Sequence, residues 1–298
     1  MISTTPLKSL GLGAALLIAA CSSGAQPITG TGGSTGAGGA VVDAGPHPCP
    51  GKAISFTSNV PTNGDPAKSR VMVDFTTDTT DLPIGNSPRT IEFWAFVLTT
   101  SWRGDANTMF EIQAVTAVRW RGLDFGGVAG TIDPYTNGSF DNDNQPTGIT
   151  DFATNDQWIH FAMVYDQTAV TLYVDGKFMA GMVGSQKMPA GGGMLATVRT
   201  MLTIGGNPRG AYFNGAIDEF RMWNVARSQA EIMATMGTKL VGNEDGLVGY
   251  WQFDDGTGTT AKDSVTTTGH TAHDGTLMAT DPSMIPTWID STAPILCP

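Results

Sequence analysis

Charged side chains are scarce in this sequence, making up 14% of its 298 residues, and its lysines and arginines form no cluster. Acidic residues outnumber basic ones by 27 to 16, which gives a net charge of −11. Proteins bind nucleic acid through clustered cations, and a phosphate backbone would be repelled by this negative charge. The composition therefore argues against nucleic acid as a partner.

The N-terminal apolar run is too short to cross a membrane. Leu10 to Ala20 (LGLGAALLIAA) falls short of the roughly 20 residues that a membrane-spanning helix needs. Lys8 precedes this run, and residues 1–9 contain no acidic side chain. A short basic region, a short apolar core and small residues before a cleavage site are typical of a secretory signal peptide, which we predict for residues 1–20.

The end of this run carries a second signal. Ile18-Ala19-Ala20-Cys21 resembles the lipobox of bacterial lipoproteins, which implies that the Cys21 thiol carries diacylglycerol. Several acyl chains would supply the anchoring that one chain alone cannot give. Serines rather than aspartate follow Cys21, and by the same resemblance this favours the outer membrane. The alternative is an ordinary signal peptide with a chance cysteine. We expect an exported protein that is attached to the cell envelope by its lipid only.

Residues 21–46 would join this anchor to the rest of the chain. After Cys21 the segment consists mainly of Gly, Ser, Thr and Ala, with almost no charge. Such a composition buries too little apolar surface to offset the entropy of ordering. A flexible coil of this length spans roughly 25–30 Å. We interpret the segment as a tether and predict one domain over residues 47–298.

Within the predicted domain, short β-rich segments alternate with turns. Arg89–Thr99 and Trp158–Tyr165 are apolar on both faces, as expected of strands inside a sandwich. Residues 170–174 alternate apolar and polar side chains, and Asp175-Gly176 follows them. This dipeptide predicts a hairpin, because a type I′ turn needs positive φ at both central residues. Further strands are predicted over Lys177–Val183, Met201–Ile204, Ala216–Trp223 and Leu247–Phe253.

One short helix is predicted in the C-terminal half. Ser228 and Glu231 have the spacing of a capping box, in which each side chain accepts from the other residue's backbone N–H. Gly237 stands where a left-handed residue would end the helix. Its apolar side would consist of Ile232, Met233 and Met236.

A set of ordered sequence pieces carries a family resemblance. The pieces are Gln157-Trp158-Ile159-His160, Leu172 to Lys177 (LYVDGK), Ile204-Gly205-Gly206, Gly215 to Asn224 (GAIDEFRMWN), Gly246 to Phe253 (GLVGYWQF), Asp263, and Asp274 to Leu277 (DGTL). Taken in this order, they resemble the laminin G-like and pentraxin-like jelly roll of the concanavalin A-like lectins and glucanases. The resemblance implies an all-β fold, an antiparallel two-sheet jelly-roll sandwich with one short helix.

Cys49 and Cys297 lie at the two ends of the predicted domain. A jelly roll commonly brings its first and last strands side by side, and an exported protein meets an oxidising compartment. Of the three cysteines, the remaining one is Cys21. We therefore predict a disulfide between Cys49 and Cys297, with two free thiols as the alternative.

The sequence contains no P-loop and no His-Glu-x-x-His. Gly32 to Gly36 (GGSTG) fits the pattern Gly-x-Ser-x-Gly, but it lies in the Gly-rich tether and not between a strand and a helix, where that motif holds a nucleophile. The glucanases of the resembled superfamily carry carboxylates at alternate positions of one strand. This spacing places two of them as retaining hydrolysis requires. The nearest match here, Asp218-Glu219, consists of adjacent residues whose side chains would point to opposite faces of a strand. We therefore expect that the protein is not an enzyme.

Oxygen-rich loops make calcium the cofactor to consider. Asp141 and Asp143 lie in the run DNDN, and Asp263 lies in the family-like C-terminal loop. These three aspartates are candidate calcium ligands, with ordinary turn formation as the alternative. His270 and His273, with Asp274, have the ligand types of a zinc site. They lack a distant fourth ligand, so we expect a solvated loop there.

Aromatic side chains in loops are suited to stacking on sugar rings. Trp102, Tyr135 and Tyr212 lie in turn-rich stretches and are the candidate ligand-binding residues. We expect a recognition module for a glycan or an extracellular protein. The alternatives are a structural or adhesive envelope component without a discrete ligand site, and an unrecognised glycan hydrolase. Four further tryptophans lie within predicted strands and are assigned to the core: Trp94, Trp158, Trp223 and Trp251.

Overall fold

A computed structural model describes residues 47–57, 69–76, 82–97, 106–112, 116–121, 131–135, 156–167, 169–178, 186–187, 201–206 and 213–297. These residues belong to one compact unit, Ala44–Pro298. The predicted signal peptide, Cys21 and the predicted tether lie outside the described residues. Within the described ranges, no helix has both the length and the apolar character needed to cross a membrane.

The described residues form two packed sheets and one small terminal sheet. In chain order the strands are β1 (His47–Pro48), β2 (Lys52–Phe56), β3 (Arg70–Asp74), β4 (Arg89–Val97), β5 (Ala106–Ile112), β6 (Thr116–Arg121), β7 (Thr131–Tyr135), β8 (Trp158–Tyr165), β9 (Ala169–Val174), β10 (Lys177–Phe178), β11 (Gln186–Lys187), β12 (Met201–Ile204), β13 (Gly215–Trp223), β14 (Leu247–Trp251), β15 (Thr260–Ala261), β16 (Gly275–Met278), β17 (Thr287–Asp290) and β18 (Leu296–Cys297).

The larger sheet has nine strands in the order β10-β9-β8-β4-β13-β2-β17, with β11 beside β9 and β14 beside β13. The second sheet has seven, in the order β15-β16-β3-β12-β5-β6-β7. Neighbouring strands within both sheets are antiparallel. Strands distant in sequence are neighbours in each sheet, as in a jelly roll. The predicted all-β sandwich is confirmed.

The core lies between the two sheets, because alternate residues of each strand point inward. In β4, Ile91, Phe93 and Ala95 belong to the main core cluster. Phe93 stacks on Phe220 of β13 with ring centroids 5.4 Å apart, and Phe110 of β5 packs edge-on against both rings. The intervening residues of β4 point to the opposite side, which we call the outer face of the nine-stranded sheet.

The predicted hairpin and helix are both present. Asp175 and Gly176 have φ of 48° and 68°, as a type I′ turn requires, and they join β9 to β10. The helix α1 (Gln229–Thr235) begins with the full Ser228–Glu231 capping box. Of the predicted return strand, β10 covers Lys177–Phe178, and residues 179–183 lie outside the described part.

The helix end differs from the prediction. Met236 caps α1 in a right-handed conformation, and Gly237 has no positive φ. Instead, the Gly237 carbonyl accepts the backbone N–H of Leu296, and Lys239 donates to the Leu296 carbonyl. A long-range partner from the C-terminal segment therefore replaces the local glycine cap.

The two ends of the domain meet, as predicted. β1 and β18 form the two-stranded sheet, with His47 opposite Cys297. Cys49 and Cys297 are joined by a disulfide, with Cα atoms 4.9 Å apart across a sequence separation of 248. In the entropy model, closing so long a loop restricts the unfolded chain by roughly 5 kcal/mol. The predicted disulfide is confirmed.

Candidate functional site

A small cleft opens on the outer face next to the disulfide. Asp218, Glu219, Lys239, Asp254 and Ser291 contribute its polar side chains, and we call it the acidic cleft. Its space is about that of a single water molecule. Three carboxylates line this cleft, and carboxylates are the side chains that glycoside hydrolysis requires.

A β-bulge brings the two adjacent carboxylates together. The pairing between β13 and β4 shifts register between Asp218 and Arg221, and Glu219 has a φ of 52°. A bulge re-aims a side chain by breaking the alternation of the strand. Our prediction that Asp218 and Glu219 point to opposite faces is therefore wrong, because both line the same cleft. Positive φ in a non-glycine residue costs about 1–3 kcal/mol, which the surrounding contacts must offset.

The Asp218 carboxyl group is held by two protein donors. Its Oδ2 accepts from the Ser291 hydroxyl at 2.5 Å, and its Oδ1 accepts from the Glu219 backbone N–H at 2.8 Å. Burial raises the pKa of Asp218 well above its usual value, and the nearby Glu219 charge raises it further. Asp218 thus binds a proton more readily than an exposed aspartate does.

The other two carboxylates of the acidic cleft are also occupied. Glu219 Oε2 accepts from Arg221 Nη2 at 2.7 Å and from the Tyr250 hydroxyl at 2.5 Å. Asp254 accepts from the Lys52 backbone N–H and forms an ion pair with Lys239. Retaining hydrolysis needs two carboxylates facing a sugar between them. A cleft with room for one water and with its carboxylates bound to protein donors does not offer that arrangement.

A buried ionic network continues from Arg221 under the helix. Glu92 of β4 is fully buried, and its Oε1 accepts from Arg227 Nη1 at 2.7 Å and from the Trp223 indole at 3.0 Å. Arg221 Nη1 lies 3.7 Å from the same oxygen, so this guanidinium sits between Glu92 and Glu219. Arg227 stacks on the Trp223 ring at 3.9 Å. The family-like GAIDEFRMWN segment is thus explained by packing and charge pairing.

His160 lies at the edge of this network. Its Nε2 is 3.9 Å from Glu92 Oε2, and its ring packs edge-on against Trp94 at 5.3 Å. Burial lowers the pKa of His160 well below its ordinary value, and the positive charges of Arg221 and Arg227 lower it further. The imidazole is therefore neutral in the folded protein at neutral pH.

The Asp263 carboxylate is occupied by hydrogen bonds within the protein. Its Oδ1 accepts the backbone N–H groups of Tyr250 and Val265, and its Oδ2 accepts the N–H of His273. His270 Nε2 lies 2.9 Å from Oδ2. Four protein contacts leave this carboxylate poorly placed to ligate calcium, so the geometry favours the structural alternative. In the described ranges, no group of three or more His, Cys, Asp or Glu side chains could hold a metal ion.

The loop around His270 and His273 is solvent-exposed at residues 266–269, 271–272 and 274, as predicted, but the two histidine side chains themselves are buried. The His270 side chain is only 3% exposed, and His273 is 5% exposed. His273 packs edge-on against Phe75 at 5.1 Å, and its carbonyl accepts from the Trp251 indole. Phe75 is nearly 200 positions earlier in the chain, so a local pattern could not reveal this contact.

Of the three candidate ligand-binding residues, the structure describes the position of Tyr135 alone. Tyr135 is the last residue of β7, so its predicted position in a turn is wrong. Trp102 and Tyr212 lie outside the described residues, as do Asp141 and Asp143. Binding by Trp102, Tyr135 and Tyr212 and calcium ligation by the two aspartates stay predictions.

Sequence reasoning also misplaced one tryptophan. Trp158, assigned to the core, begins β8 on the outer face and is half-buried. Its indole donates to the hydroxyl of Thr292 at 2.9 Å, and its ring packs edge-on against Phe96 with centroids 5.7 Å apart. The alternation of side chains along β8 could have revealed this position. Neighbouring residues of a strand point to opposite faces, and the next residue, Ile159, points into the core.

Comparison with known proteins agrees with this architecture. A family model for the concanavalin A-like lectin/glucanases superfamily matches residues 73–233, more than half of the chain. The chain is similar to the crystal structure of a candidate carbohydrate binding protein from Bacteroides ovatus. That match has a TM-score of 0.52 and 22% identity, and it covers 83% of this chain and 61% of that one.

Two further matches cover a smaller share of this chain. The match to a SAP-like pentraxin from Limulus polyphemus has a TM-score of 0.41 and 11% identity, over 61% of this chain and 80% of that one. Pappalysin-1 from Mus musculus is 34% identical over 85 residues, which are 28% of this chain and 5% of pappalysin-1. The chain thus spans a small fraction of that curated relative, and the structural similarities concern the fold.

Proposed function

Because the chain belongs to the concanavalin A-like lectin/glucanase superfamily, we propose that it is a non-catalytic protein that binds a glycan at the cell surface. The fold itself is compatible with either binding or hydrolysis, since specific chemistry depends on the site that a fold carries. The choice between the two therefore rests on the side chains.

The observation that carries the proposal is the occupation of the acidic cleft. Asp218, Glu219 and Asp254 are each held by protein donors, and the space between them is about that of one water. A hydrolase of this superfamily would need carboxylates that face a bound sugar. The similarity to a candidate carbohydrate binding protein supports glycan recognition without hydrolysis.

Surface attachment is the second part of the proposal. The lipobox-like Ile18-Ala19-Ala20-Cys21 would provide a lipid anchor, and residues 22–46 would provide a spacer. We propose that this arrangement displays the domain on the cell envelope, at the outer membrane. The domain would then hold a polysaccharide, or a glycosylated partner, close to the cell.

Binding is tested by screening the purified full-length protein, in detergent, against a panel of soluble polysaccharides by affinity electrophoresis. We expect at least one polysaccharide to retard the protein. The absence of retardation by every member of a broad panel would contradict glycan recognition.

Anchoring is tested by fractionating cells that produce the wild type or Cys21→Ser. We expect the wild type in the membrane fraction, with mass spectrometry showing an acylated N-terminal Cys21, and the variant without acylation and released from the membrane. A variant that is still processed and membrane-bound would overturn the lipid anchor.

A further inference from the structure

A row of five side chains crosses the outer face of the nine-stranded sheet. Strand pairing places Trp158 of β8 opposite Phe96 of β4, Phe96 opposite Ala216 of β13, Ala216 opposite Ser55 of β2, and Ser55 opposite Thr287 of β17. We call this row the aromatic shelf. At the usual spacing between strands it is about 19 Å long.

The shelf lies on the outer face because its neighbours point inward. Four of the shelf residues have a sequence neighbour that belongs to the main core cluster. These neighbours are Ile159, Ala95, Ile217 and Ile54. The opposite end of β8 is covered, since α1 contributes Ile232 to a cluster with Ala162 and Val164. On β4, the Trp94 indole donates to the carbonyl of Met236 at the end of α1. The shelf is at the end of the sheet away from this cluster.

One end of the shelf offers aromatic surface in a fixed orientation. Trp158 and Phe96 are both half-buried, with their rings packed edge-on at a centroid distance of 5.7 Å. The bond from the Trp158 indole N–H to the Thr292 hydroxyl, 2.9 Å long, restrains the indole further. An aromatic side chain whose rotamer is already fixed loses little entropy when a ligand stacks on it.

The other end of the shelf consists of small and mostly polar side chains. Ala216 is small and buried, Ser55 is half-buried and Thr287 is exposed. The five shelf side chains carry no charge, and Asp218, two positions from Ala216 on the same face, is already bound by the Ser291 hydroxyl and the Glu219 backbone N–H. An uncharged ligand therefore matches this row better than an ionic one. A pyranose ring has the complementary chemistry, since its C–H face packs on aromatic rings and its hydroxyl groups bond with Ser and Thr.

We propose that the aromatic shelf is a binding subsite for an uncharged polysaccharide, with one sugar ring stacked against Trp158 and Phe96 and the following sugars lying towards Ser55 and Thr287. The proposal rests on the glycan-binding function proposed above and names both its site and its ligand class. It differs from the predicted loop site at Trp102, Tyr135 and Tyr212.

The test compares dissociation constants of full-length variants for an uncharged polysaccharide that binds the wild type. Trp158→Ala is expected to weaken binding about tenfold or more, and Trp158→Phe to retain most of it, because stacking survives without the indole N–H. Trp288→Ala is the matched control, since Trp288 adjoins Thr287 but packs towards the core. It is expected to bind as the wild type does.

A second variant guards against misfolding of Trp158→Ala. Ser55→Lys removes no aromatic packing and places a long charged side chain over the middle of the shelf, so it is expected to weaken binding about tenfold as well. Wild-type affinity in both Trp158→Ala and Ser55→Lys would overturn the shelf while leaving glycan binding intact. Loss of binding on Trp102→Ala alone would place the site in the predicted loop instead. Binding by charged polysaccharides only would overturn the ligand class, and no binding by the wild type would contradict the function itself.

Discussion

Arg221 donates to Glu219, two positions earlier on the same strand, across 2.7 Å. Residues two positions apart share a face of a strand, and the same guanidinium also faces Glu92, 3.7 Å away. Burial opposes the charged form of Arg221, yet the two carboxylates hold its pKa above the ordinary value. The buried guanidinium thus balances the charges of Glu92 and Glu219, beside the positive-φ backbone of Glu219.

Arg221→Met is therefore expected to be strongly destabilising. The variant leaves the buried Glu219 carboxylate without its cation, and such a loss costs roughly 3–5 kcal/mol of the free energy of unfolding. Urea denaturation measures the effect. Adding Glu219→Gln should restore part of the stability, because the uncompensated charge is gone. As the control, Lys52→Met breaks the exposed pair with Asp290 and should change stability little. Equal effects of Arg221→Met and Lys52→Met would contradict this account.

His160 should make the domain sensitive to acid. Its folded-state pKa is lowered by burial and by Arg221 and Arg227, whereas an unfolded histidine titrates near 6.5. The unfolded state therefore binds the proton more readily, and stability is lost as the pH falls below about 6.5. One proton contributes a slope of up to about 1.4 kcal/mol per pH unit. His160→Gln should flatten the fall in unfolding free energy between pH 7.5 and 5.5, and an unchanged slope would refute the assignment.

Asp218 should have the opposite dependence on pH. Its folded-state pKa is raised by burial and by Glu219, so the folded state binds the proton more readily than the unfolded state. Keeping Asp218 ionised therefore costs stability, and this cost is present above its folded pKa and disappears as the pH falls towards the unfolded value. Asp218→Asn should raise the melting temperature at neutral pH, with a gain that shrinks in acid. A gain that is constant with pH, or a lower melting temperature at neutral pH, would show that the pKa of Asp218 is not raised in the folded state.

The disulfide should contribute a large share of the stability. Cys49→Ser with Cys297→Ser is expected to lower the free energy of unfolding by roughly 2–5 kcal/mol, because the unfolded chain is no longer cross-linked at its ends. A reducing agent should lower the urea midpoint of the wild type to that of the double variant and leave the double variant unchanged. A wild-type midpoint that does not respond to reduction would contradict this contribution.

Local sequence patterns predicted seven of the eighteen described strands, and the reason is visible in particular segments. Trp158–Tyr165 is a strand with the predicted bounds, since apolar side chains on both faces suit a central strand. Asp175-Gly176 and the Ser228–Glu231 capping box are short-range devices, so they could be predicted without tertiary contacts. The joining of Cys49 to Cys297 followed from the resemblance to a jelly roll.

The errors arise where a distant contact overrides the local pattern. Period-two alternation placed Asp218 and Glu219 on opposite faces, and the bulge stabilised by Arg221 and Tyr250 changed this. His270 is buried because it contacts Asp263, in a loop that composition alone describes as polar. Trp158 looked like a core residue because its strand is apolar, although its own side chain faces outward. The candidate site is therefore less predictable than the fold.

The most direct test of glycan recognition without catalysis combines binding and product analysis on one sample. A polysaccharide that binds the purified full-length protein is titrated by calorimetry, then incubated with it for a day at the same pH and analysed by size-exclusion and anion-exchange chromatography. The account predicts a saturable binding isotherm and a polysaccharide recovered with its original chain length. Polysaccharide chains that are shortened by the wild type but not by Asp218→Asn or Glu219→Gln would contradict it, because this result would make the acidic cleft a catalytic centre.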